Sequence, residues 1–146
     1  MIKQATIADI EILTTLFEGY RKFYKKNADY EGAKLFLQER IQNNESVIYL
    51  VHAENGEAVG FTQLYPLFSS TRMKKIWLLN DLYVAPEYRG KGFSKALLER
   101  AKAFTKETGA CELMLETAKT NDIGNQLYPS VGFELGTDFN WYHYEI

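Results

Sequence analysis

The sequence predicts an α/β fold, in which a mixed, mostly antiparallel sheet is flanked by helices in a single domain over residues 1–146. Apolar residues recur at the spacing of an α-helix in several segments, and β-rich runs lie between those segments. Two of the runs are joined by an Asn-Gly pair, which is a common hairpin signal. No repeat, low-complexity tract or Pro/Gly-rich linker divides the chain, so the sequence marks no domain boundary.

The first third of the chain predicts one short strand and two helices. The strand spans Ile2 to Gln4, and the Thr6-x-x-Asp9 pattern after it is typical of a helix N-terminal cap. Apolar side chains then recur at helical spacing in both helices. Those of the first helix are Ile10, Leu13, Phe17, Tyr20 and Tyr24, and the face of the second carries Ala33, Phe36, Leu37, Arg40 and Ile41.

The middle of the chain predicts three strands. Val47–Ala53 and Ala58–Leu64 are β-rich, and the Asn55-Gly56 pair between them indicates a hairpin with a type I′ turn. Lys75–Val84 is apolar on both faces, which is typical of a central strand.

The C-terminal part of the chain predicts two helices and three strands. A helix follows a basic, glycine-containing loop and ends at Thr108-Gly109, where glycine is a common C-terminal cap. The remaining predicted elements are a buried strand, Cys111–Thr117, a short helix near Gly124–Ser130, and two closing strands around Phe133–Gly136 and Asn140–Tyr144.

Composition narrows the class of protein. Hydrophobic residues make up 46% and charged residues 25%, a balance typical of globular domains. The net charge of -2 provides no general attraction for nucleic acid or an anionic membrane, so we expect neither as a partner. No apolar run has the length of a signal peptide or a membrane span.

The single cysteine and the two histidines indicate structural roles. Cys111 lies in an apolar run and is expected to be a small buried hydrophobe. It cannot form a disulfide within the chain, and this cysteine usage favours a cytoplasmic location. His52 and His143 form no metal-ligand spacing with Cys111, so we expect no metal site.

The basic loop Arg89-Gly90-Lys91-Gly92-Phe93-Ser94 is the most informative segment of the sequence. Backbone N–H groups and cationic side chains at the start of a helix bind phosphate, and glycine lets the backbone approach it closely. The alternative is an ordinary basic connection between a strand and a helix. The loop is not a P-loop, and a G-x-G-x-x-G pattern begun at Gly90 has Lys95 at its third glycine.

Two motifs resemble those of the GNAT superfamily of acyl-CoA-dependent N-acetyltransferases. The basic loop resembles the family's Q/R-x-x-G-x-G/A pattern, with Ser94 where glycine or alanine is usual. The segment Asn121–Phe133 resembles N-x-x-A-x-x-L/F-Y-x-x-x-G-F, with Gly124 in place of the alanine. The order of the predicted elements also matches that of the family. The resemblance therefore covers nearly the whole chain and implies the acyl-CoA N-acyltransferase fold.

The resemblance also implies acetyl-CoA as cosubstrate. The basic loop would bind its pyrophosphate, Asn121 its pantetheine arm, and the backbone of the predicted central strand the thioester oxygen. The expected cofactor-binding residues are Leu82, Tyr83, Val84, Arg89, Gly90, Lys91, Gly92, Phe93, Ser94 and Asn121.

Transfer to an amine requires an acid for the leaving thiolate, and the resemblance implies Tyr128 as that general acid. A phenol with a pKa of about 10 is protonated at neutral pH and can donate to the sulfur. The alternative role for Tyr128 is packing of its helix against the sheet.

Transfer also requires a base, since an alkylammonium with a pKa near 10 must lose a proton before it attacks. Asp81 and Glu116 are the two acidic residues within otherwise apolar predicted strands, so both are candidate catalytic residues. A structural pair or a backbone cap is the alternative for each. In the polyamine acetyltransferases that this strand resembles, the base precedes the aspartate, and that residue here is Asn80, which cannot act as a base.

The sequence thus predicts an acetyl-CoA-dependent N-acetyltransferase that uses direct transfer in a ternary complex. The segments Leu79–Val84 and Leu115–Thr117 most resemble the histone/polyamine branch, which implies a primary amine of a small, polyamine-like molecule as acceptor. Alternatives are a protein lysine or N-terminal acetyltransferase and an acyl-CoA-binding module without turnover. Tyr20, Phe23, Tyr24 and the aromatic segment Tyr65–Ser70 are candidates either for the wall of the acceptor pocket or for core packing.

The last predicted strand indicates an oligomeric partner. Phe139 and Trp141 lie on one of its alternating faces and Tyr142 and Tyr144 on the other. An end strand normally keeps one face or edge polar to avoid association. We therefore expect a homodimer with this strand at or near the interface.

Overall fold

The computed structural model describes residues 1–146, which form two compact units, 1–116 and 117–146. The elements of the first unit are β1 (Ile2–Gln4), α1 (Ile10–Phe23), α2 (Tyr30–Gln42), β2 (Val47–His52), β3 (Ala58–Ser69), β4 (Lys74–Val84), α3 (Phe93–Glu107) and β5 (Leu113–Met114). The second unit contains α4 (Asp122–Ser130). The expectation of one domain over the whole chain stays a prediction. None of these helices has both the length and the hydropathy that crossing a bilayer requires.

The five strands form one sheet in the order β1-β2-β3-β4-β5. The pairs β1–β2, β2–β3 and β3–β4 are antiparallel, and β4–β5 is parallel. A parallel pair needs a long crossover connection, which α3 provides here. The predicted fold class, a mixed and mostly antiparallel sheet flanked by helices, is therefore confirmed.

Helices cover both faces of the sheet. On one face, α1 and α2 contribute Leu13 and Leu37 to a buried cluster that includes Leu50 of β2. On the other face, Leu97 of α3 packs in a second cluster that includes Val51. Leu50 and Val51 belong to different clusters because successive strand residues point to opposite faces. Both α1 and α3 contact β4, so this strand is held between them.

The predicted start of the first helix is confirmed in detail. The Thr6 side chain accepts a hydrogen bond from the Ala8 N–H at 3.3 Å, and the Asp9 carboxylate accepts one from the Thr6 N–H at 2.9 Å. This capping box precedes a short 3-10 turn that leads into α1. At the end of α3, Gly109 has φ 70°, as expected of a glycine cap.

The β2–β3 hairpin is present, but the prediction of a type I′ turn was wrong. That turn needs positive φ at both central residues, and within Asn55-Gly56 only Gly56 has it, at φ 84°. The Gly56 N–H donates to the Ala53 carbonyl and the Ala53 N–H to the Glu57 carbonyl, each at 2.9 Å. This is the pattern of a type I turn followed by a left-handed glycine. The Asn55 side chain stabilises the turn by accepting the Glu57 N–H at 3.0 Å.

Two strand boundaries also differ from the prediction. β3 continues to Ser69 and pairs with β4 along this length, so the segment Tyr65–Ser70 is strand for all but its last residue. β5 contains only Leu113 and Met114 of the predicted strand Cys111–Thr117. The Cys111 N–H still donates to a β4 carbonyl at 2.9 Å, and the side chain is half-buried rather than buried.

The two closing strands around Phe133–Gly136 and Asn140–Tyr144 are absent, and residues 133–146 contain no helix or strand. Aromatic and β-branched composition favours a strand only where a neighbouring strand accepts its backbone hydrogen bonds. The large apolar side chains that are exposed in this segment are Leu135, Phe139, Trp141, Tyr142, Tyr144 and Ile146.

Candidate active site

Two glycines shape the loop between β4 and α3. Gly90 has φ 73° and Gly92 has φ 86°, a left-handed conformation that side chains disfavour. A short 3-10 turn leads from β4 into this loop, and α3 begins directly after Gly92. At both glycines a Cβ would have no atom within 4 Å, so the loop presents open backbone.

The N-terminus of α3 is suited to bind an anion. The Ala96 N–H makes a hydrogen bond to the Gly92 carbonyl at 3.0 Å, and the amides before it lack a partner one turn back in the helix. Gly92 supplies no side-chain cap, and the first turn contains no acidic residue. The helix dipole favours negative charge at this end. The amides that this geometry offers to a ligand are those of Phe93, Ser94 and Lys95.

Both cations of the loop lie against aromatic rings. The Arg89 Nε donates to the Val84 carbonyl at 2.9 Å, and its guanidinium carbon lies 5.5 Å from the Phe23 ring centroid and 5.7 Å from that of Tyr83. The Lys91 ammonium lies 5.1 Å from the centroid of the neighbouring Tyr88 ring. These contacts fix the position of the Arg89 charge between α1 and the end of β4.

A β-bulge interrupts β4 at Asn80. Gln63 of β3 pairs with Asp81, whereas the next residue, Leu64, pairs with Leu79, so Asn80 has no opposite residue. Bulges change the direction in which neighbouring side chains point, and they often occur beside active sites.

Beyond the bulge, alternate amides of β4 point away from β3. The Ala85 N–H donates to the Val59 carbonyl at 2.9 Å, and N–H directions alternate along an antiparallel strand. The Tyr83 amide therefore points toward β3, and those of Leu82 and Val84 point away from it. β5 pairs with β4 only before the bulge, so no strand of the sheet takes up these two amides. Leu82 and Val84 are thus the available backbone donors in this stretch.

Asp81 is a buried carboxylate with only 2% of its surface exposed. Its Oδ2 accepts a hydrogen bond from Gln63 Nε2 at 2.5 Å, and its Oδ1 accepts one from Asn80 Nδ2 at 2.9 Å. Burial raises the pKa of Asp81 above its ordinary value of 3.8, while the hydrogen bonds from Gln63 and Asn80 act in the opposite direction. The carboxylate is therefore a better proton acceptor than an exposed aspartate.

Three tyrosines lie within electrostatic reach of the Asp81 carboxylate: Tyr20 of α1, Tyr24 directly after α1, and Tyr65 of β3. Burial, and then the charge of Asp81, raise the pKa of each phenol, so all three are protonated at neutral pH. The Tyr20 hydroxyl donates to the Asn80 carbonyl at 3.4 Å. Hydroxyl groups, aromatic faces and a buried negative charge together can recognise an ammonium group.

Glu116 does not lie in the setting that the sequence predicted. It follows the end of β5, and its side chain is exposed rather than buried in a strand. A two-residue β5 ends before this position, so the predicted burial was wrong. The role of Glu116 as a base stays a prediction. Both Asp81 and Glu116 were selected as carboxylates expected to be buried in a strand, and Asp81 is buried in one.

In the unit 117–146, Asn121 directly precedes α4 and Tyr128 lies within it. Asn121 caps the helix, since its Oδ1 accepts the Gly124 N–H at 3.1 Å and its Nδ2 donates to Thr117 Oγ1 at 2.9 Å. The half-buried Tyr128 ring meets that of Phe133 edge-on, with 6.1 Å between the centroids. A Cβ at Gly124 would lie 2.5 Å from Asn121 Nδ2 and 3.1 Å from the Tyr128 ring, so glycine gives both side chains room. Their proposed contacts with the cosubstrate stay predictions.

Sequence reasoning missed Gln63 and Ser46. Gln63 is fully buried in the mostly apolar run Ala58–Leu64. A polar residue in an apolar strand is the signal that singled out Asp81, and it could have singled out Gln63 too. Ser46 donates to Gln63 Oε1 at 2.8 Å from the residue before β2. Nothing in the sequence connects Ser46 with Gln63, because only the β2–β3 pairing brings the two together.

The sheet, the bulged β4 and the glycine loop at the start of α3 are the arrangement expected of a CoA-dependent acyltransferase. Residues 11–133 match the Acetyltransferase (GNAT) family. The chain therefore belongs to the GNAT family of acetyltransferases, whose cosubstrate is acetyl-CoA, and the resemblance inferred from its two motifs is confirmed.

Known relatives agree with this assignment. The chain is 46% identical to the uncharacterised N-acetyltransferase YhfO of Bacillus subtilis (strain 168), over 97% of this chain and 94% of that protein. It also matches a crystal structure of a probable acetyltransferase with a TM-score of 0.96 and 39% identity, covering 100% of this chain and 97% of that one.

More distant relatives are named for their acceptors. An aminoglycoside N(6')-acetyltransferase type 1 of Stenotrophomonas maltophilia is 27% identical over 91% of this chain and 85% of that protein. A spermidine N(1)-acetyltransferase of Thermoplasma acidophilum is 28% identical over 94% of this chain and 92% of that protein.

Proposed function

We propose that this protein transfers an acetyl group from acetyl-CoA to a primary amine of a small, polyamine-like molecule, by direct transfer in a ternary complex. The observation that carries the proposal is the Asp81 carboxylate, buried on the bulged strand with Tyr20, Tyr24 and Tyr65 within electrostatic reach. A cationic amine needs a carboxylate to accept its proton, directly or through water, before it can act as a nucleophile.

The loop Arg89–Ser94 fits the pyrophosphate of acetyl-CoA. It offers open backbone at two left-handed glycines, helix amides without a partner one turn back, and two cations. Bound there, the cosubstrate supplies an acetyl thioester. The amides of Leu82 and Val84 would donate hydrogen bonds to its carbonyl oxygen as negative charge develops on that atom.

Asp81 and Tyr128 carry the two proton transfers that the reaction requires. Asp81 accepts a proton from the acceptor ammonium, which frees the nitrogen lone pair to form the new N–C bond. Tyr128 donates to the sulfur as the C–S bond breaks, and regains a proton as the nitrogen becomes an amide. The products are the N-acetylated amine and the free thiol, with release of one proton overall.

The acceptor class rests on two kinds of support. The Asp81 cluster suits an amine on a slender chain, because the carboxylate itself is buried and the tyrosines lie around it. Relatives that cover most of the chain are named as spermidine and aminoglycoside acetyltransferases. Both names denote acetylation of a small, positively charged amine.

An acceptor screen tests the proposal. Thiol release from acetyl-CoA is followed with polyamines, aminoglycosides, amino acids and lysine-containing or N-terminal peptides. We expect the highest kcat/KM with a polyamine, and a rate near background for an Asp81→Asn variant. A preference for peptides would overturn the proposal of a small-molecule acceptor. Absence of turnover with every amine would overturn the proposed transfer and favour a module that binds acetyl-CoA without turnover.

We also propose that residues 1–146 act as one catalytic domain, which forms a cytoplasmic homodimer. The family match over 11–133 extends across both compact units, which supports one functional domain. Exposed aromatic side chains in residues 133–146 support association with a second copy. A single cysteine without a partner for a disulfide is typical of a reducing compartment.

A further inference from the structure

A hydrogen-bonded chain leads from the half-buried Ser46 through Gln63 to Asp81. The Ser46 hydroxyl donates to Gln63 Oε1 at 2.8 Å, and Gln63 Nε2 donates to Asp81 Oδ2 at 2.5 Å. Gln63 is fully buried and Asp81 nearly so, which makes any unsatisfied polar atom in the pair costly. The two residues are directly paired across β3 and β4, next to the bulge at Asn80.

The Asp81 carboxylate and the Ser46 hydroxyl together hold the Gln63 amide in one orientation. A flipped amide would place its oxygen against the carboxylate, and two acceptors cannot share a hydrogen bond. With the serine donating to Oε1, the NH₂ group is directed at Asp81 Oδ2. The chain thus holds a donor against one carboxylate oxygen, and the Asn80 side chain holds a donor against the other.

We propose that Gln63 is a positioning residue for the reaction, which together with Ser46 fixes the Asp81 carboxylate and stabilises its ionised form. This inference rests on the proposed function, in which Asp81 accepts the proton of the acceptor amine. Hydrogen bonds to a carboxylate favour the charged state, and burial opposes it. Without Gln63, the buried carboxylate would keep its proton up to a higher pH.

The other groups near Asp81 do not duplicate this role. Tyr20, Tyr24 and Tyr65 lie within electrostatic reach, and Arg40 of α2 acts on Tyr65. Of the phenols, Tyr20 reaches the same part of β4, but its hydroxyl donates to the Asn80 backbone carbonyl at 3.4 Å and not to the carboxylate. These side chains are all present in a variant at Gln63, but Gln63 also acts on Tyr65. Ser46→Ala keeps the Gln63 side chain and therefore provides an independent check.

Gln63→Met and Ser46→Ala test the proposal, with Thr62→Val as matched control. Methionine preserves the volume of glutamine and removes its donor. Thr62 is equally buried on β3 but donates to the Asp81 backbone carbonyl, at 2.8 Å, so its loss affects stability and not the carboxylate. The measurements are a ¹³C NMR titration of the Asp81 carboxyl and the pH profile of kcat/KM with the best amine of the acceptor screen.

We expect Gln63→Met to raise the titration midpoint of Asp81 by about one pH unit, the size of one hydrogen bond to a charged group. The acidic limb of kcat/KM should move equally, with a loss of roughly tenfold on that limb and little change at high pH. Ser46→Ala should give a smaller shift in the same direction, and Thr62→Val none. Because every variant is measured with the same amine, the titration of the amine itself cancels.

Two results distinguish this inference from the proposed function. If Asp81 titrates identically in Gln63→Met, Ser46→Ala and the unmodified protein, the positioning role is overturned whatever the activity shows. If the carboxyl midpoint shifts while kcat/KM keeps its pH profile, Gln63 still holds Asp81 but Asp81 is not the base, and the proposed function fails at that residue. Should Gln63→Met not fold, Ser46→Ala carries the test, because it removes only the hydrogen bond to Gln63 Oε1 and keeps the Gln63 side chain beside Asp81.

Discussion

Gly19 of α1 lies directly against the hydroxyl of Tyr83 on β4: a Cβ at Gly19 would be 2.4 Å from the hydroxyl oxygen and 2.8 Å from Cζ. Glycine inside a helix costs about 1 kcal/mol relative to alanine, so this position sacrifices helix stability for a close approach. The Tyr83 ring in turn lies 5.7 Å from the Arg89 guanidinium carbon. The contact between α1 and β4 therefore helps to position Arg89, a side chain that is predicted to bind the phosphate of acetyl-CoA.

Gly19→Ala should consequently weaken acetyl-CoA binding although it improves helix propensity. The added methyl group displaces the Tyr83 ring, which shifts the Arg89 guanidinium that lies over it. We expect an increase of several-fold in the Kd for acetyl-CoA by calorimetry, without a gain in Tm. Gly136→Ala is the control, since a Cβ there meets no atom within 4 Å. An unchanged Kd together with a raised Tm would show that the contact has no role in binding.

Gly92 and Gly109 provide a matched pair for the loop at the start of α3. They flank the same helix with φ 86° and φ 70°, and a Cβ at either position meets no atom within 4 Å. Leucine at either site should cost a similar free energy of unfolding, roughly 1–2 kcal/mol for a left-handed residue. Only Gly92→Leu should greatly weaken acetyl-CoA binding, since its side chain occupies the place of the phosphate. Equal affinities of the two variants would disprove the assignment of the loop.

From the raised pKa of Asp81 we predict that activity and stability change in opposite directions with pH. Because burial raises its pKa above 3.8 in the native state, the native protein holds more protons than the unfolded chain between 3.8 and the raised pKa. This group's contribution to stability therefore falls as the pH rises through that range, while kcat/KM rises as the base loses its proton.

Asp81→Asn should abolish both effects. The difference in unfolding free energy between the two proteins should vary with pH in this window, as measured by urea denaturation at several pH values. Activity should fall by about 10²-fold or more, the usual value of a general base. Asp122, on α4, offers an exposed control for the same substitution. Parallel stability curves for Asp81→Asn and the unmodified protein would show that Asp81 is not perturbed in the native state.

The sequence predicted most of what local pattern and chemistry determine. Periodicity located α1, α2, α3 and the first four strands, and glycine chemistry located the loop at Gly90 and Gly92, whose positive φ the structure shows. What it could not predict depends on partners distant in the chain. The bulge at Asn80 exists only relative to β3, and Gln63 acquires its role only through the register that sets it opposite Asp81. The closing strands failed for the same reason, since composition does not supply a pairing partner.

Tyr128→Phe should lower kcat more than it raises the KM for acetyl-CoA, because the lost hydroxyl acts on the leaving thiolate. The expected decrease in kcat is about 10²-fold when chemistry limits the rate. The ring contact with Phe133 can be preserved in phenylalanine. Tyr144→Phe, at a position with 93% exposure, controls for loss of a phenol as such. An unchanged kcat in single-turnover measurements would remove Tyr128 from the mechanism.

We predict that residues 133–146 mediate the association of two chains. Trp141 is 70% exposed and Phe139 87% exposed, although aromatic side chains of this size are normally covered in a stable protein. Two-fold pairing is the commonest way to cover such a segment. Light scattering at micromolar concentration should give twice the chain mass of 16.9 kDa. Trp141→Glu should reduce the mass to that of one chain, whereas Glu145→Gln, in the same segment, should leave it doubled. A monomeric unmodified protein would refute the dimer, and a Trp141→Glu variant that remains dimeric would place the interface elsewhere.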